Sequence, residues 1–279
     1  MKWLAILNPF AGGQNSSHLM RIGRRLKQLV GATCRVTTHP DHATEIVRQH
    51  PDYDGYIAVG GDGTVSEVVN GLGNKPKLLA IIPDGTCNDL ALDLDLGDPN
   101  AGLDALKDRQ LRKLDVVAIR FRRREQWHER TMISTSALGY VAESAEIAYR
   151  FKPWLGAASH VIGAVWQPFR RSEFVARIQF DDDSPQEHRL TTLTVQNTQH
   201  LGRFRVFPEA RVDDGKLNVH YGRLSPLEQL LEDLGVVTQT YRFARALHRQ
   251  ASRQRLRAWS TRSRHGSRRS MRRSRRLPT

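Results

Sequence analysis

Residues 55–72 admit few folds. Gly55-Tyr56-Ile57-Ala58-Val59 is an apolar run that reads as a buried strand. Gly60-Gly61-Asp62-Gly63-Thr64 follows at once, and Val65, Val68, Val69 and Leu72 then recur at helical spacing. A strand, a glycine turn and a helix in so short a stretch make one unit of a parallel sheet covered by helices. Without a Cβ, the glycines let backbone N–H groups approach a ligand and accept positive φ. The start of the following helix attracts anions. Such a loop suits a phosphate. Asp62 would repel a bare phosphate, so its carboxylate is expected to act through Mg²⁺ or to orient a hydroxyl. The plain alternative is a tight turn with an Asp cap. Three glycines around one carboxylate after a buried strand favour phosphate.

The flanking chain repeats the pattern. Residues 3–7 predict a strand that ends at Asn8-Pro9-Phe10-Ala11-Gly12-Gly13, and Ser16 or Ser17 caps a helix running to Val30. Its solvated side is Arg21, Arg24, Arg25 and Lys27. Thr33 to Thr37 predicts a second strand, Asp41 to Gln49 a helix, and Lys77 to Ile82 a fourth strand ending at Pro83-Asp84-Gly85-Thr86-Cys87-Asn88-Asp89. In parallel sheets ligands bind beyond the carboxyl ends of the strands, and all three glycine-containing turns fall there. From Leu114 short strands replace the alternation: 115–121, 131–136, 174–180, 190–196 and 216–221, with helices at 141–150, 155–169 and from Ser225 toward His248. The expectation is an α/β N-terminal domain over 1–114, an antiparallel β-sandwich domain over 115–250, and a basic, disordered tail over 251–279.

Composition removes several classes. No apolar run reaches the roughly 18 residues a membrane span requires. Met1 to Leu7 reads as the first strand and not as a signal peptide. Cys34 and Cys87 are the only cysteines, which suits a reducing cytoplasm and gives no disulfide framework. P-loop, Gly-x-Gly-x-x-Gly and Gly-x-Ser-x-Gly patterns are absent, as is any zinc spacing. His39 and His42 read as surface or loop histidines. The net charge is +14, and most of it comes from eleven Arg in residues 251–279, which hold no Asp or Glu. Few, unclustered aromatics argue against a single-stranded nucleic-acid site in the body of the chain, and no specific nucleic-acid partner is expected.

Together, Asn8-Pro9-x-Ala11-Gly12, Gly60-Gly61-Asp62-Gly63-Thr64 with Glu67 and Asn70, and Pro83-x-Gly85-Thr86-x-Asn88-Asp89 resemble the diacylglycerol kinase catalytic-domain family, nearest in size to its small bacterial lipid kinases and related to sphingosine kinases. Phe207-Pro208-x-Ala210-x-x-Asp213-Asp214-Gly215-Lys216-Leu217 resembles that family's Asp-Gly-Leu stretch. The central motif is shared with NAD kinases; the Pro-x-Gly-Thr-x-Asn-Asp turn is more specific. The resemblance implies ATP and Mg²⁺ as cofactors and a lipid hydroxyl as acceptor, met by peripheral contact with a membrane from the cytoplasm. It implies nucleotide contacts at Asn8, Gly12, Thr37, Gly60, Gly61, Gly63, Thr64, Glu67, Gly85 and Thr86. Asp62 and Asp89 take the catalytic places, and Asp214 with the carbonyls of Arg211 and Lys216 holds a structural metal. Ser136, Gly139 and Glu143 border the lipid side or simply pack a strand end. Arg122, Arg123, Arg124, Arg170 and Arg171 are either headgroup contacts or a solvated hairpin and helix end. A homodimer, a catalytically inactive nucleotide-binding relative and an NAD kinase-like enzyme stay open.

One part of the family pattern is missing. No Asp-Gly-Glu occurs in the chain, although in the family that glutamate is the general base near the C-terminus. Residues 253–276 are a tract of Arg and Ser without periodicity, which cannot bury enough surface to order itself. Such a tract resembles GC-rich sequence read out of frame; the alternative is a genuine basic tail. Either way the chain is expected to bind ATP and transfer phosphate slowly, since a positioned base contributes about 10²–10⁴-fold, and to leave a sheet edge open.

Overall fold

The computed structural model describes residues 1–12, 16–73, 75–123, 125–155, 173–181, 183–225, 247–252 and 257–262. The N-terminal half alternates β1 (Trp3–Leu7), α1 (Ser16–Val30), β2 (Thr33–Val36), α2 (His42–Gln49), β3 (Gly55–Gly60), α3 (Asp62–Leu72), β4 (Leu78–Pro83), α4 (Asp89–Asp93) and α5 (Pro99–Lys107). The sheet order is β2-β1-β3-β4, all parallel. Alternation along β1 sends Leu4 and Ile6 to a cluster with α2, α3 and α4, and Ala5 and Leu7 to a second cluster with α1 and α5. Helices therefore cover both faces, and β3 is buried at every residue, as its unbroken apolar run requires. In α1, Leu19, Ile22, Gly23 and Leu26 form the buried stripe.

α5 has no counterpart in the sequence reading, although its signal is present: Asp98 accepts the N–H groups of Asn100 and Ala101, and Pro99 occupies the first turn. β2 and β4 are the sheet's edges among the described residues. β4 borders the start of the second half. Beside it lies an apolar groove of about 830 Å³ lined by residues such as Leu78, Ala80, Leu94, Leu96, Leu106 and Leu114.

The second half comprises β5 (Val117–Arg123), β6 (Gln126–Met132), β7 (Thr135–Gly139), α6 (Tyr140–Leu155), β8 (Phe174–Gln179), β9 (Gln186–Leu190), β10 (Thr192–Gln196), β11 (His200–Leu201), β12 (Phe204–Arg205), β13 (Lys216–Gly222), β14 (Leu247–Ser252) and β15 (Arg257–Arg262). Every pairing among them is antiparallel. The sheets β14-β13-β10-β7 and β15-β8-β9 share a core of Phe174, Ile178, Leu190, Leu193, Val219 and Tyr221. This is the expected pairing of a parallel α/β domain with antiparallel layers.

Three stretches differ from expectation. The single strand predicted at 131–136 is broken between Met132 and Thr135. Ile133 leaves the ribbon and, with Val212, joins the apolar cluster of the N-terminal domain. The tail expected to be disordered also carries strand: Ala251 and Ser252, at the end of β14, pair with β13, and β15 pairs with β8. The expected disorder gives way there because an antiparallel edge can be extended by main-chain hydrogen bonds, which need no apolar pattern. The helix expected from Ser225 toward His248 falls on 226–246, outside the described residues, and at its expected end His248 lies in β14. The helix expected at 155–169 lies outside the described residues beyond Leu155, the last residue of α6.

Candidate functional site

At the carboxyl edge of the sheet, three loops are stitched together by their own main chains. Asn8 N–H donates to the Val59 carbonyl at 3.0 Å, and Asp84 N–H to the Gly60 carbonyl at 2.9 Å. Asn8 Nδ2 donates to Thr64 Oγ1 at 2.8 Å, tying the first loop to the first turn of α3. The second and third loops touch backbone to backbone: a Cβ on Gly85 would fall 2.3 Å from Gly61 Cα. Asn88, at φ 58°, accepts the Gly85 N–H and donates to its carbonyl, both at 3.0 Å. Glycine is required at 85 for this approach, and Asn88 tolerates the left-handed conformation that folds the loop back.

The two carboxylates expected to do chemistry also hold main chain. Asp62 Oδ2 accepts Asp89 N–H at 3.0 Å and Oδ1 accepts Leu90 N–H at 3.1 Å, so Asp62 caps α4 from the start of α3. Asp89 in turn accepts Gly202 N–H and Arg203 N–H, each at 2.7 Å. These belong to the two-residue turn between β11 and β12, where Gly202 has φ 62° and Arg203 φ 74°. A relay of carboxylate and amides thus runs from α3 through α4 to a hairpin of the second domain. Asp93 strengthens the last step through Gln199 N–H and His200 Nδ1, each at 2.5 Å. α3 has no side-chain cap: Gly61 occupies that position. With α4 served by Asp62, the first amides of α3 are the donors left for an anion.

Burial pushes Asp89 above the ordinary carboxylate range, the negative charge of Asp62 pushes it further, and the amides of Arg203 and Gly202 and the charge of His200 pull it back. Burial likewise raises Asp84, opposed by His18, whose Nε2 lies 3.1 Å from Asp84 Oδ1. A raised folded value means that the folded chain takes up a proton before the unfolded chain does. Stability from these two groups is therefore greatest below the ordinary value and declines as pH rises through the raised ones. The loops respond in the opposite sense, because a protonated Asp89 loses acceptor strength for the hairpin amides. On acidification from about pH 7 toward the ordinary carboxylate range, the Gly202 and Arg203 amides are expected to lose protection from hydrogen exchange before the thermal midpoint falls. Parallel exchange and melting titrations check this; coincident curves would contradict it.

The other predicted residues fall around this centre. Gly60, with φ 158°, leaves room for the Thr64 hydroxyl, which would lie 2.4 Å from a Cβ there. Gly12 has φ 60°, and no heavy atom lies within 4 Å of the Cβ position of Gly63. Thr37 is buried at the end of β2, its N–H on the Leu7 carbonyl at 2.9 Å. Glu67 serves α2: its Oε2 accepts Ala43 N–H at 3.1 Å, and its carbonyl accepts the Thr44 hydroxyl. Thr86 offers its carbonyl to Arg203 Nη1 at 3.3 Å. Arg211, Asp214 and Lys216 lie apart, the first two in the loop before β13 and Lys216 at its first residue. There Asp214 Oδ1 accepts Lys216 N–H at 2.9 Å, and Asp115 Oδ2 accepts Gly215 N–H at 3.0 Å.

Sequence reasoning missed Asp115, His18, Asp93 and Arg203, none of which sits in a spaced motif. It quoted Asn70 without a role. Asn70 Nδ2 donates to the Thr131 carbonyl at 3.0 Å and Oδ1 accepts Thr131 N–H at 2.9 Å, which fastens α3 to β6 of the second domain. Ser136 and Gly139 lie in β7, paired with β10, and Gly139 is required there because a Cβ would meet the Thr191 carbonyl at 2.2 Å. Glu143 is in the first turn of α6.

His39, His42 and Glu45 place ligand atoms within 4.8 Å of one another. The Thr38 N–H donates to His42 Nδ1 at 3.0 Å, however, which keeps the ring proton on Nε2 and leaves no free lone pair for a metal. The pair of rings stacks at 4.4 Å as surface histidines.

Residues 2–119 match the family described as the diacylglycerol kinase catalytic domain. A diacylglycerol kinase of Staphylococcus saprophyticus is 30% identical over 180 residues, which are 63% of this chain and 56% of that protein. A diacylglycerol kinase of Staphylococcus haemolyticus is 32% identical over 169 residues, 59% of this chain and 48% of that protein. The aligned part thus spans about half the length of these relatives. The crystal structure of a protein from Bacillus anthracis str. Sterne assigned as a diacylglycerol kinase superposes with a TM-score of 0.73 at 26% identity, covering 93% of this chain and 86% of that one.

Proposed function

We propose, from the premise that residues 2–119 are a domain of the diacylglycerol kinase catalytic type, that the chain binds ATP and transfers its γ-phosphate to a hydroxyl of a diacylglycerol-like or sphingoid lipid. The observation that carries this reading is the joining of the second and third loops to the β11–β12 turn by Asp62 and Asp89, beside the uncapped start of α3. The cradle fits a nucleotide. Gly60, Gly61, Gly63 and Gly85 leave the main chain bare, Asn8 and Thr64 flank it, and Thr37 and Thr86 stand at its sides. ATP would supply the group transferred, and Mg²⁺, held by Asp62 and Asp89, would neutralise charge on it. At the loop before β13 the expected ligands of a structural metal are oxygen only, Asp214 and the carbonyls of Arg211 and Lys216 with Asp115 adjacent, which suits a hard cation.

The carboxylates of the cradle are each engaged: Asp62 and Asp89 by amides, Asp84 by His18. With no Asp-Gly-Glu in the chain, slow transfer is expected, and the second reading is a nucleotide-binding relative without turnover. Contact with the lipid is peripheral in this reading: no helix among the described residues is long and apolar enough to cross a membrane. The β5–β6 hairpin supports it, with Trp127 65% exposed at a tip that also carries Arg122 and Arg123. Arg124, Arg170 and Arg171 lie outside the described residues.

Radiolabelled ATP offered with diacylglycerol, sphingoid base and NAD in parallel tests the reading. Label in a lipid product supports it, label in NADP replaces the lipid by NAD, and ATP binding without label in any product leaves the second reading.

A further inference from the structure

We infer that Arg203 is a phosphate-recognising residue which the second domain lends to the nucleotide cradle, and that the β11–β12 turn is built to deliver it. The inference rests on the reading that the cradle takes a nucleotide.

Three observations converge on this residue. First, Arg203 has φ 74°, a left-handed conformation that a long side chain seldom adopts and that persists only where its surroundings impose it. Second, the surroundings do impose it. Its N–H and that of Gly202 both fall on the buried carboxylate of Asp89, at 2.7 Å each, and Asp89 is itself fixed through the cap that Asp62 provides. Third, its guanidinium reaches over the third loop, where Nη1 donates to the Thr86 carbonyl at 3.3 Å. A guanidinium carries five N–H donors in a fixed fork and matches phosphate oxygens in pairs. One long bond to a carbonyl leaves that capacity largely unspent.

The electrostatics give the placement a purpose. Asp62, Asp84 and Asp89 bring three carboxylates to the carboxyl edge of the sheet, where a nucleoside triphosphate would bring more negative charge. A cation fixed at the rim offsets both. It comes from the second domain, so recognition of the distal phosphates is coupled to the seating of the hairpin on α4, which His200 and Asp93 also secure. The turn alone would be satisfied by glycine at 203, which accepts this φ freely. The arginine is therefore present for its side chain.

The experiment uses the full chain and measures ATP, ADP and AMP binding by calorimetry, with thermal unfolding alongside. Arg203→Gly keeps the turn and both amides on Asp89, so its unfolding midpoint should stay level or rise slightly. Its ATP affinity should fall by about ten- to a hundredfold, the equivalent of losing a charge-assisted hydrogen bond, while AMP affinity changes little. Arg203→Lys should recover part of the loss. Unchanged ATP affinity in Arg203→Gly would overturn the inference while leaving the nucleotide reading intact. Equal losses for ATP and AMP would also overturn it, since that is the signature of a loop merely displaced. An unaltered protein that binds none of the three would overturn both.

Discussion

Asp62→Asn is expected to leave a folded protein whose phosphate transfer, read as radiolabelled product, falls to below about one hundredth of the unaltered rate. The loss is electrostatic and geometric at once. Asp62 is the one carboxylate that stands at the start of α3 and caps α4, its two oxygens on Asp89 N–H and Leu90 N–H. An amide in its place removes the charge and turns an N–H₂ group toward one of those amides. Loss of a preorganised group of this kind costs about 10²–10³-fold in rate, and loss of a cap costs about 0.5–2 kcal/mol in stability. The melting curve should therefore shift modestly while turnover collapses. A folded Asp62→Asn protein with most of its activity would refute the role given to this carboxylate.

Gly85→Ala should be the more damaging change to the fold. Its new methyl would lie 2.3 Å from Gly61 Cα, 2.9 Å from Gly61 N and 2.7 Å from Asn88 Oδ1. Two of these three are main chain and cannot swing aside. The second and third loops would have to separate, at about 1–3 kcal/mol for overpacking. Separation by even an ångström at a phosphate cradle costs on the order of a hundredfold in turnover. Thermal unfolding and ATP binding should both suffer, in contrast to Gly63→Ala, which meets nothing within 4 Å. Equal behaviour of the two variants would show that the close approach of the loops is not what positions the site.

The cradle was legible because it is local. Strand, glycine turn and helix are contiguous in 55–72, so hydrophobic period and turn chemistry locate the loop without any long-range knowledge. The parallel order of β1, β3 and β4 then follows, because short helices between the strands leave no other pairing. What stayed hidden is every contact that crosses from one domain to the other. Asn70 is an ordinary polar residue on α3 until Thr131 presents its peptide group, 61 positions away. Arg203 looks like any surface arginine until Asp89, 114 positions earlier, takes its N–H. Within the N-terminal domain, the family resemblance puts Glu67 at the nucleotide, and in the structure its Oε2 accepts Ala43 N–H at the start of α2. The strand Arg257–Arg262 escaped for another reason: it is held to β8 by main-chain pairing, to which side-chain pattern is blind.

Ile133 and Val212 close the apolar cluster beneath α2, α3 and α4, and this bears on the order of events during folding. All four strands of the parallel sheet are made by residue 83, so on a growing chain the sheet could assemble early. It could not finish. Two of its core positions are filled by side chains synthesised much later, and until they arrive the cluster has gaps on the face that meets the second domain. The late residues share a cluster with Val65 of α3 and Leu90 of α4, helices that begin at the cradle, so the last step of core closure and the assembly of the site are expected to coincide. A half-made chain would hold a sheet with no working cradle, and the native barrier would be set by contacts of long sequence separation, which form slowly. The two domains are thus distinct in architecture and are expected to unfold as one cooperative unit.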